Sequence, residues 1–465
     1  MKPSIPQGTR DFSPADVRRR QYILQTIRNV FELYGYQPLE TPSMENLSTL
    51  MGKYGDEGDR LIFKILNNGL NDPKNTEKAR TAFERVLDGK NDPNLTERAL
   101  RYDLTIPFAR YVVMHQNELA FPFRRYQMQP VWRADRPQKG RYREFWQCDA
   151  DVVGSNSLVN EAELLGIYRE AFHRLQVPGI QVKINSRKVL AGLAECCGAA
   201  GSLTDITVAI DKLDKIGLDG VQKELVQRGL DEEKIGYITR FLSIQSEHEA
   251  RAHEGRLDAM AQLLAGSETA QLGIAELRQT LAYHDQLSNA SWTSDIMVDF
   301  TLARGLNYYT GLIVEVATSA VKMGSIGGGG RYDDLTGLFG LKGLSGVGIS
   351  FGVDRIYDVL EELGLFPAQL ASGTRIIFVN IEPRATPILF GYLNELRAAG
   401  IAAELYADSA KFDKQMKYAD KRNIPFVGIV GASELEEGMI NLKDMASGEQ
   451  RKLAIGDLIA TLATP

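Results

Sequence analysis

Cysteine is scarce in this sequence. Among 465 residues only Cys148, Cys196 and Cys197 occur. An adjacent pair and a distant third make neither a disulfide framework nor a zinc-ligand spacing. The five histidines, at 115, 173, 248, 253 and 284, show no ligand spacing with them, so no protein-bound metal is expected. The N-terminal stretch MKPSIPQGTRDF has no apolar signal-peptide core, and no apolar run approaches a membrane span. A reducing cytoplasm and no membrane partner are the simplest expectations. Excess positive charge is lacking too: the formal net charge is -6 and the sequence pI about 5.6. That argues against nonspecific coating of nucleic acid, so any such contact must be local. The run Gly327–Gly330 lacks the Lys-Ser/Thr of a P-loop. Nor is there a strand–GxGxxG–helix unit with a downstream acid, which counts against a dinucleotide-binding oxidoreductase. What remains is an ordinary globular composition, 44% hydrophobic and 25% charged, in a chain long enough for several domains.

The most informative stretch runs from Phe121 to Gly154. Two strand-like runs, Arg125–Arg133 and Glu144–Val153, flank a turn punctuated by Pro137 and Gly140. From Arg124 to Arg143 there are seven basic residues and one acidic residue, Asp135. In an acidic chain this local inversion of charge marks a candidate phosphate site. Alternation along the second strand puts Phe145, Gln147, Asp149 and Asp151 on one face, with Trp146, Cys148 and Val152 on the other. One face therefore offers an aromatic plane, an amide and carboxylates. That set suits a flat base beside an amine, although a solvated amphipathic hairpin would have the same pattern.

Taken in order, Ser13-Pro14 opens a helix that Gly35 closes. Tyr36–Pro42 is extended, with prolines that confine it to a sheet edge or an interface. Residues 67–97 form a polar excursion with a short helix near Thr76–Leu87. In Arg101-Tyr-Asp103-Leu-Thr105, the two polar side chains share a face if the segment is extended, or cap a following helix. Helical spacing covers 156–175, a strand follows at Ile180–Ser186, and 187 to about 287 is almost purely helical. Strands return at 296–302 and 312–316. The four glycines from 327 either bring backbone close to a ligand or form a flexible turn. The last ninety-odd residues alternate strand and helix, which implies a small α/β domain. Within it Lys411, Lys414, Lys417 and Lys421 give one basic helix face, fit for RNA backbone or for water alone.

These strings resemble the histidyl-tRNA synthetases, class II aminoacyl-tRNA synthetases, over nearly the whole length. The segment around Pro42 is similar to class motif 1, which builds the dimer interface. The hairpin is similar to motif 2, and Gly346–Arg355 to motif 3. More specific are Leu302–Tyr309 (LARGLNYY), Gly328–Asp333 (GGGRYD) and Arg101–Thr105 (RYDLT). The resemblance implies an α+β fold: a six-stranded antiparallel catalytic sheet with flanking helices, a helical insertion and a C-terminal α/β anticodon-binding domain. The expected divisions are 1–186 and 293–366 for the catalytic domain, 187–292 for the insertion and 372–465 for the anticodon reader.

The resemblance also implies chemistry. L-Histidine would be activated with ATP, accompanied by Mg²⁺, to histidyl-adenylate, then transferred to tRNA(His) by a homodimer. Arg133 and Arg304 are the implied catalytic groups at the α-phosphate. Phe145 and Arg355 would sandwich the adenine, with Asp135 near its amino group. Asp103, Thr105 and Gln147 would hold the α-ammonium group, while Asp151 and Tyr309, with Tyr308 beside them, would bracket the imidazole. Arg136, Gln138 and Arg141 would meet the tRNA acceptor end. Two departures stand out: Asp135 where the class often has Glu, and Asn307 where Asp is common. The nearest alternative is a noncatalytic, histidine-sensing regulatory paralogue on the same fold. The retained arginines and the full-length terminal domain argue against it.

Overall fold

The computed structural model describes residues 2–247, 253–287, 289–292, 295–303, 308–367, 370, 373–408 and 410–463. Contacts gather them into two units, Met1–Asp11 with Tyr22–Leu365, and Phe12–Gln21 with Phe366–Pro465.

The first unit is built on an eight-stranded sheet. In chain order, β1 (Gln37–Pro38) is followed by a small antiparallel sheet of β2 (Met44–Asn46), β3 (Lys64–Ile65) and β4 (Arg98–Leu100). The long hairpin is β5 (Phe123–Trp132) and β6 (Glu144–Val153), followed by β7 (Ile180–Ser186) and β8 (Asp295–Val298). Then come β9 (Leu312–Thr318), β10 (Gly327–Asp333) and β11 (Ser345–Gly352). The spatial order is β1-β5-β6-β11-β10-β9-β7-β8. The six inner strands are antiparallel throughout, as the resemblance implied. The two short outer strands pair parallel and extend that expectation. Pro38 closes β1 at the sheet edge, where a missing N–H costs no ladder bond.

The glycine run is neither a turn nor a loop. Gly327–Gly330 is a central strand between β9 and β11. A Cβ at Gly329 would lie 2.2 Å from the Gly348 carbonyl oxygen, and one at Gly330 would lie 2.9 Å from the Tyr309 ring. Close packing of sheet and side chains, not conformational freedom, is what these glycines serve.

Packing locates the interior. From the helix Pro14–Leu33, Ile23, Ile27, Val30 and Phe31 are buried, and Phe31 stacks on Tyr126 of β5 at 5.5 Å. A second core joins Leu50, Tyr54, Ile106, Phe108 and Tyr332, with Tyr308 and Tyr309 packed against it. The described residues between 187 and 287 are mainly helical, from Arg187–Cys196 to Glu268–Leu287, in the same unit as the sheet.

The second unit has its own mixed sheet of β12 (Ile376–Phe378), β13 (Ala403–Leu405), β14 (Phe426–Ile429), β15 (Ile440–Asp444) and β16 (Gln450–Leu453). Its order is β13-β12-β14-β15-β16, parallel for the first three and antiparallel thereafter. Helices Thr386–Ala398, Phe412–Lys421 and Ile455–Ala463 accompany it. Phe378, Leu389, Leu396 and Leu458 form its core. Lys411, Lys414, Lys417 and Lys421 are all exposed around the second of these helices.

Candidate active site

The β5–β6 hairpin carries the charge inversion into a cavity of about 290 Å³. Of the residues singled out from the sequence, Arg133, Asp135, Arg141, Phe145, Gln147, Tyr309 and Arg355 line it. They come from the connection between the hairpin strands, from β6, from the segment before β9, and from the helix Val353–Glu362 that follows β11.

At one end the cavity is cationic and aromatic. Arg133 Nε donates to the Tyr102 carbonyl at 3.1 Å. Its guanidinium lies 4.3 Å from the Tyr102 ring centre and 5.2 Å from that of Phe145. This clamp holds the planar cation without using up its outer N–H groups. Arg355 is fixed by bonds to the carbonyls of Gly140, at 2.7 Å, and Ser325, at 2.5 Å. Burial, with Arg141 and Arg133 nearby, lowers its pKa. Like charge gathered in a partly enclosed space favours a polyanion. Asp135 sits 3.5 Å from Arg141. Gly140, at φ +70°, turns the hairpin back on itself.

At the other end the wall is buried and acidic. Gln147 Nε2 donates to Ser350 Oγ at 2.9 Å, and Ser350 in turn bonds Asp149. Asp103 and Asp151 do not line the cavity; both are 2% exposed. They nevertheless lie close to Tyr309, whose pKa is raised by its own burial, then by Asp151, Asp149 and Asp103. Asp151 accepts from Tyr332 Oη at 2.6 Å and sits 2.8 Å from Arg125 Nη2. That ion pair is close but off the hydrogen-bond axis, so Oδ2 has no hydrogen-bond donor among the described residues. Burial raises the Asp151 and Asp103 pKa values; Arg125 opposes this at the first, and the Ile106 amide and Arg133 at the second. Burial also pushes Asp149 up to about 7.

Of the two sequence readings of the Asp103 segment, the structure shows the helix cap. Oδ1 caps the helix Thr105–His115 through the Ile106 amide at 3.1 Å and accepts from Tyr54 Oη at 3.0 Å. Oδ2 is buried without a hydrogen-bond partner among the described residues. Thr105 opens that helix and bonds Tyr308. Gln147 Oε1 and Asp149 Oδ1 are likewise buried and unbonded. Buried polar atoms are nearly always satisfied. Four orphaned acceptors near Tyr309, on Asp103, Gln147, Asp149 and Asp151, therefore mark a place for a donor-rich ligand.

Two expected groups lie elsewhere. Arg136 and Gln138 belong to the turn outside the cavity lining, where Gln138 and Arg141 form an isolated bridge. Arg304 and Asn307 lie outside the described residues. Conversely, no individual role was expected for Arg125, Tyr332, Tyr54 or Ser350. Arg125 was one of the basic cluster, and Tyr332 and Ser350 lay within named strings, but nothing local to Tyr54 marked it. Among the described residues no His, Cys, Asp and Glu group could hold a metal ion.

This geometry has close counterparts. A profile described as Histidyl-tRNA synthetase matches residues 74–356, and one described as Anticodon binding domain matches 375–464. The histidine–tRNA ligase of Christiangramia forsetii is 55% identical over 464 residues, covering 99% of each chain. That of Porphyromonas gingivalis is 54% identical over 456 residues, covering 97% of each. Among solved structures, the histidyl-tRNA synthetase of a Nostoc species superposes with a TM-score of 0.82 at 31% identity, covering 99% of each chain. With the profile spanning more than half of the sequence and relatives matching it from end to end, the chain belongs to the histidyl-tRNA synthetase family.

Proposed function

We propose that this chain activates L-histidine with ATP and transfers the histidyl group to the 3′ end of tRNA(His). The observation that carries this is the single cavity in which an arginine-and-aromatic cradle adjoins orphaned acceptors around Tyr309. A histidine carboxylate oxygen attacks the α-phosphorus, the bond to the β-phosphate oxygen breaks, and pyrophosphate leaves. A ribose hydroxyl of the tRNA terminal adenosine then attacks the activated carbonyl, and AMP leaves. Such steps need alignment and fixed positive charge rather than a nucleophilic side chain.

Arg133 meets the α-phosphate from the hairpin, and Arg304 reaches it from the opposite side. Phe145 stacks on adenine and Arg355 covers its other face, with Asp135 near the amino group. The α-ammonium group donates to Asp103 Oδ2, Gln147 Oε1 and Thr105. Asp151 and Tyr309 read the two imidazole nitrogens, and Tyr308 packs behind. Paired polar groups of this kind reject analogues that lack a donor. Mg²⁺ arrives with ATP. The carboxylates lining the cavity, Asp135 and Asp354, are paired with arginines, so they do not fit a resident ion. Arg136, Gln138 and Arg141 contact the tRNA acceptor end, and the second unit reads the anticodon. The chain works as a cytoplasmic homodimer.

Amino-acid-dependent pyrophosphate exchange with all twenty amino acids tests the reading. Exchange with histidine alone is expected; exchange with none, or with another amino acid, would overturn it. Arg304→Ala should lose rate far more than histidine affinity.

A further inference from the structure

Arg125 is one of the largest fully buried side chains of the chain, 0% exposed. It sits on β5 directly across from Asp151 on β6, as ladder partners. Its Nη2 lies 2.8 Å from Asp151 Oδ2, and its guanidinium rests 4.2 Å from the Phe108 ring centre. A buried arginine is costly unless its surroundings fix it.

Comparison with other buried arginines separates structural work from something else. Arg331 is satisfied all round: it bonds both carboxylate oxygens of Glu161, the Ser345 hydroxyl and the carbonyls of Ser155 and Ser157. Arg101 donates to the carbonyls of Thr41, Pro42 and Pro130 and to Gln129, leaving Nη2 alone without a partner among the described residues. Arg125 has a long 3.5 Å bond to the Leu104 carbonyl, and its Nε and Nη1 have no hydrogen-bond partner among the described residues. It is therefore a poor staple. What it does closely is face one carboxylate.

That carboxylate is confined from the remaining sides. Tyr332 Oη donates to Oδ1. Across the sheet lies Gly348, where a Cβ would fall 1.9 Å from Asp151 Oδ1. The other titratable groups around Asp151 carry no positive charge: Asp149 on its own strand, Asp103 before the helix Thr105–His115, and the phenols of Tyr309 and Tyr36. Arg125 is the cation paired with this carboxylate among the described residues.

We propose that Arg125 is the positioning residue of the histidine pocket, acting through Asp151 to keep that carboxylate ionised and aimed at the imidazole N–H. This rests on the reading of Asp151 as an imidazole partner. The charge logic is direct. A buried carboxylate beside two others tends to take up a proton, and a protonated Asp151 would present a donor to a donor. The guanidinium opposes that tendency, in direct contact with Asp151 and also at Asp149. The pair is neutral overall, so it selects the uncharged imidazole and not an aliphatic cation of similar length such as lysine.

The test measures KM for histidine and for ATP in pyrophosphate exchange, across pH 5.5–8.5, for Arg125→Gln, Arg125→Lys, Asp151→Asn and Arg125→Gln/Asp151→Asn. Arg125→Gln should raise KM for histidine about 10–100-fold and leave KM for ATP within about twofold. The fall in histidine affinity on acidification should begin at higher pH than in the unaltered chain, because Asp151 then gains its proton more readily. Free histidine titrates identically in both, so the comparison isolates the protein. Arg125→Lys, which keeps the charge at this buried position, should restore the acid limb to its original place. The double variant should be no worse than Asp151→Asn alone. Equal losses for ATP and histidine, additive effects, or an acid limb in Arg125→Lys matching that of a neutral substitution would each overturn the inference. Asp151→Asn with unchanged KM for histidine would instead sink the underlying reading of Asp151, and the inference with it.

Discussion

The two ends of the cavity recognise by opposite means. The nucleotide end is partly open, and its charges belong to a hairpin and to the start of a helix. The end proposed to take the amino acid is lined by Gln147, Tyr309 and Ser350, with Asp103, Asp149 and Asp151 buried behind the lining at 2–3% exposure. Fixed charge near solvent is tolerant: a cation still attracts phosphate if displaced slightly. Buried acceptors are intolerant, because each unmet hydrogen bond carries the full cost of desolvation. The first end should govern rate and the second should govern identity.

Several measurements can break that division. The largest effect is expected at Arg133. Arg133→Ala should lower kcat for pyrophosphate exchange about 10²–10³-fold while changing KM for histidine little; a matching rise in KM would erase the distinction. Next, Asp151→Asn should raise KM for histidine about 100-fold with a smaller change in kcat, read from the same assay. Phe145→Leu should weaken ATP about tenfold by removing a stacking plane, measured as KM for ATP at saturating histidine. A smaller effect concerns the C-terminal unit. Lys414→Glu with Lys417→Glu should raise KM for tRNA a few-fold in aminoacylation and leave pyrophosphate exchange unchanged; an unchanged tRNA KM would remove that helix face from RNA binding. The smallest is thermal. Asp149 is pushed up to about 7 by burial, above its unfolded range near 4. The folded chain thus binds the proton more readily, and stability contributed by this group falls as pH rises from about 4 through 7. Asp149→Asn should therefore melt higher than the unaltered chain at pH 8, and the gap should close as pH approaches 4, by calorimetry.

Legibility in the sequence followed the same line. The second strand of the hairpin was readable to its ends, Glu144 and Val153, because its alternation and its flanking turn are local signals. Phe145, Gln147, Arg133 and Asp135 came with it. The glycine strand was not readable. A run of Gly327–Gly330 has no alternation, and the reason for it is the atoms of Gly348 and Tyr309 that a Cβ would strike. Arg125 was missed for a related reason. Its worth lies in being opposite Asp151, 26 positions along the chain, and a register across strands is not written in either strand alone. Asp103 carried two readings from sequence; the structure shows the helix cap at Oδ1, and Oδ2, with no hydrogen-bond partner among the described residues, is the atom on which the proposed binding role rests.

One strand remains to be considered for what it measures. Along β11, Gly348 faces Asp151, Ser350 faces Asp149 and Gly352 faces Gln147, and the chain then runs without a break into the helix that bears Arg355. One continuous stretch of chain thus carries both the glycine opposite Asp151 and the cavity-lining Arg355, and on the proposed reading it sets the distance between the two substrates. A homologue of histidine with one extra methylene would overshoot by about 1 Å, enough to cost roughly 10²-fold in rate, even where every group around its ring was met.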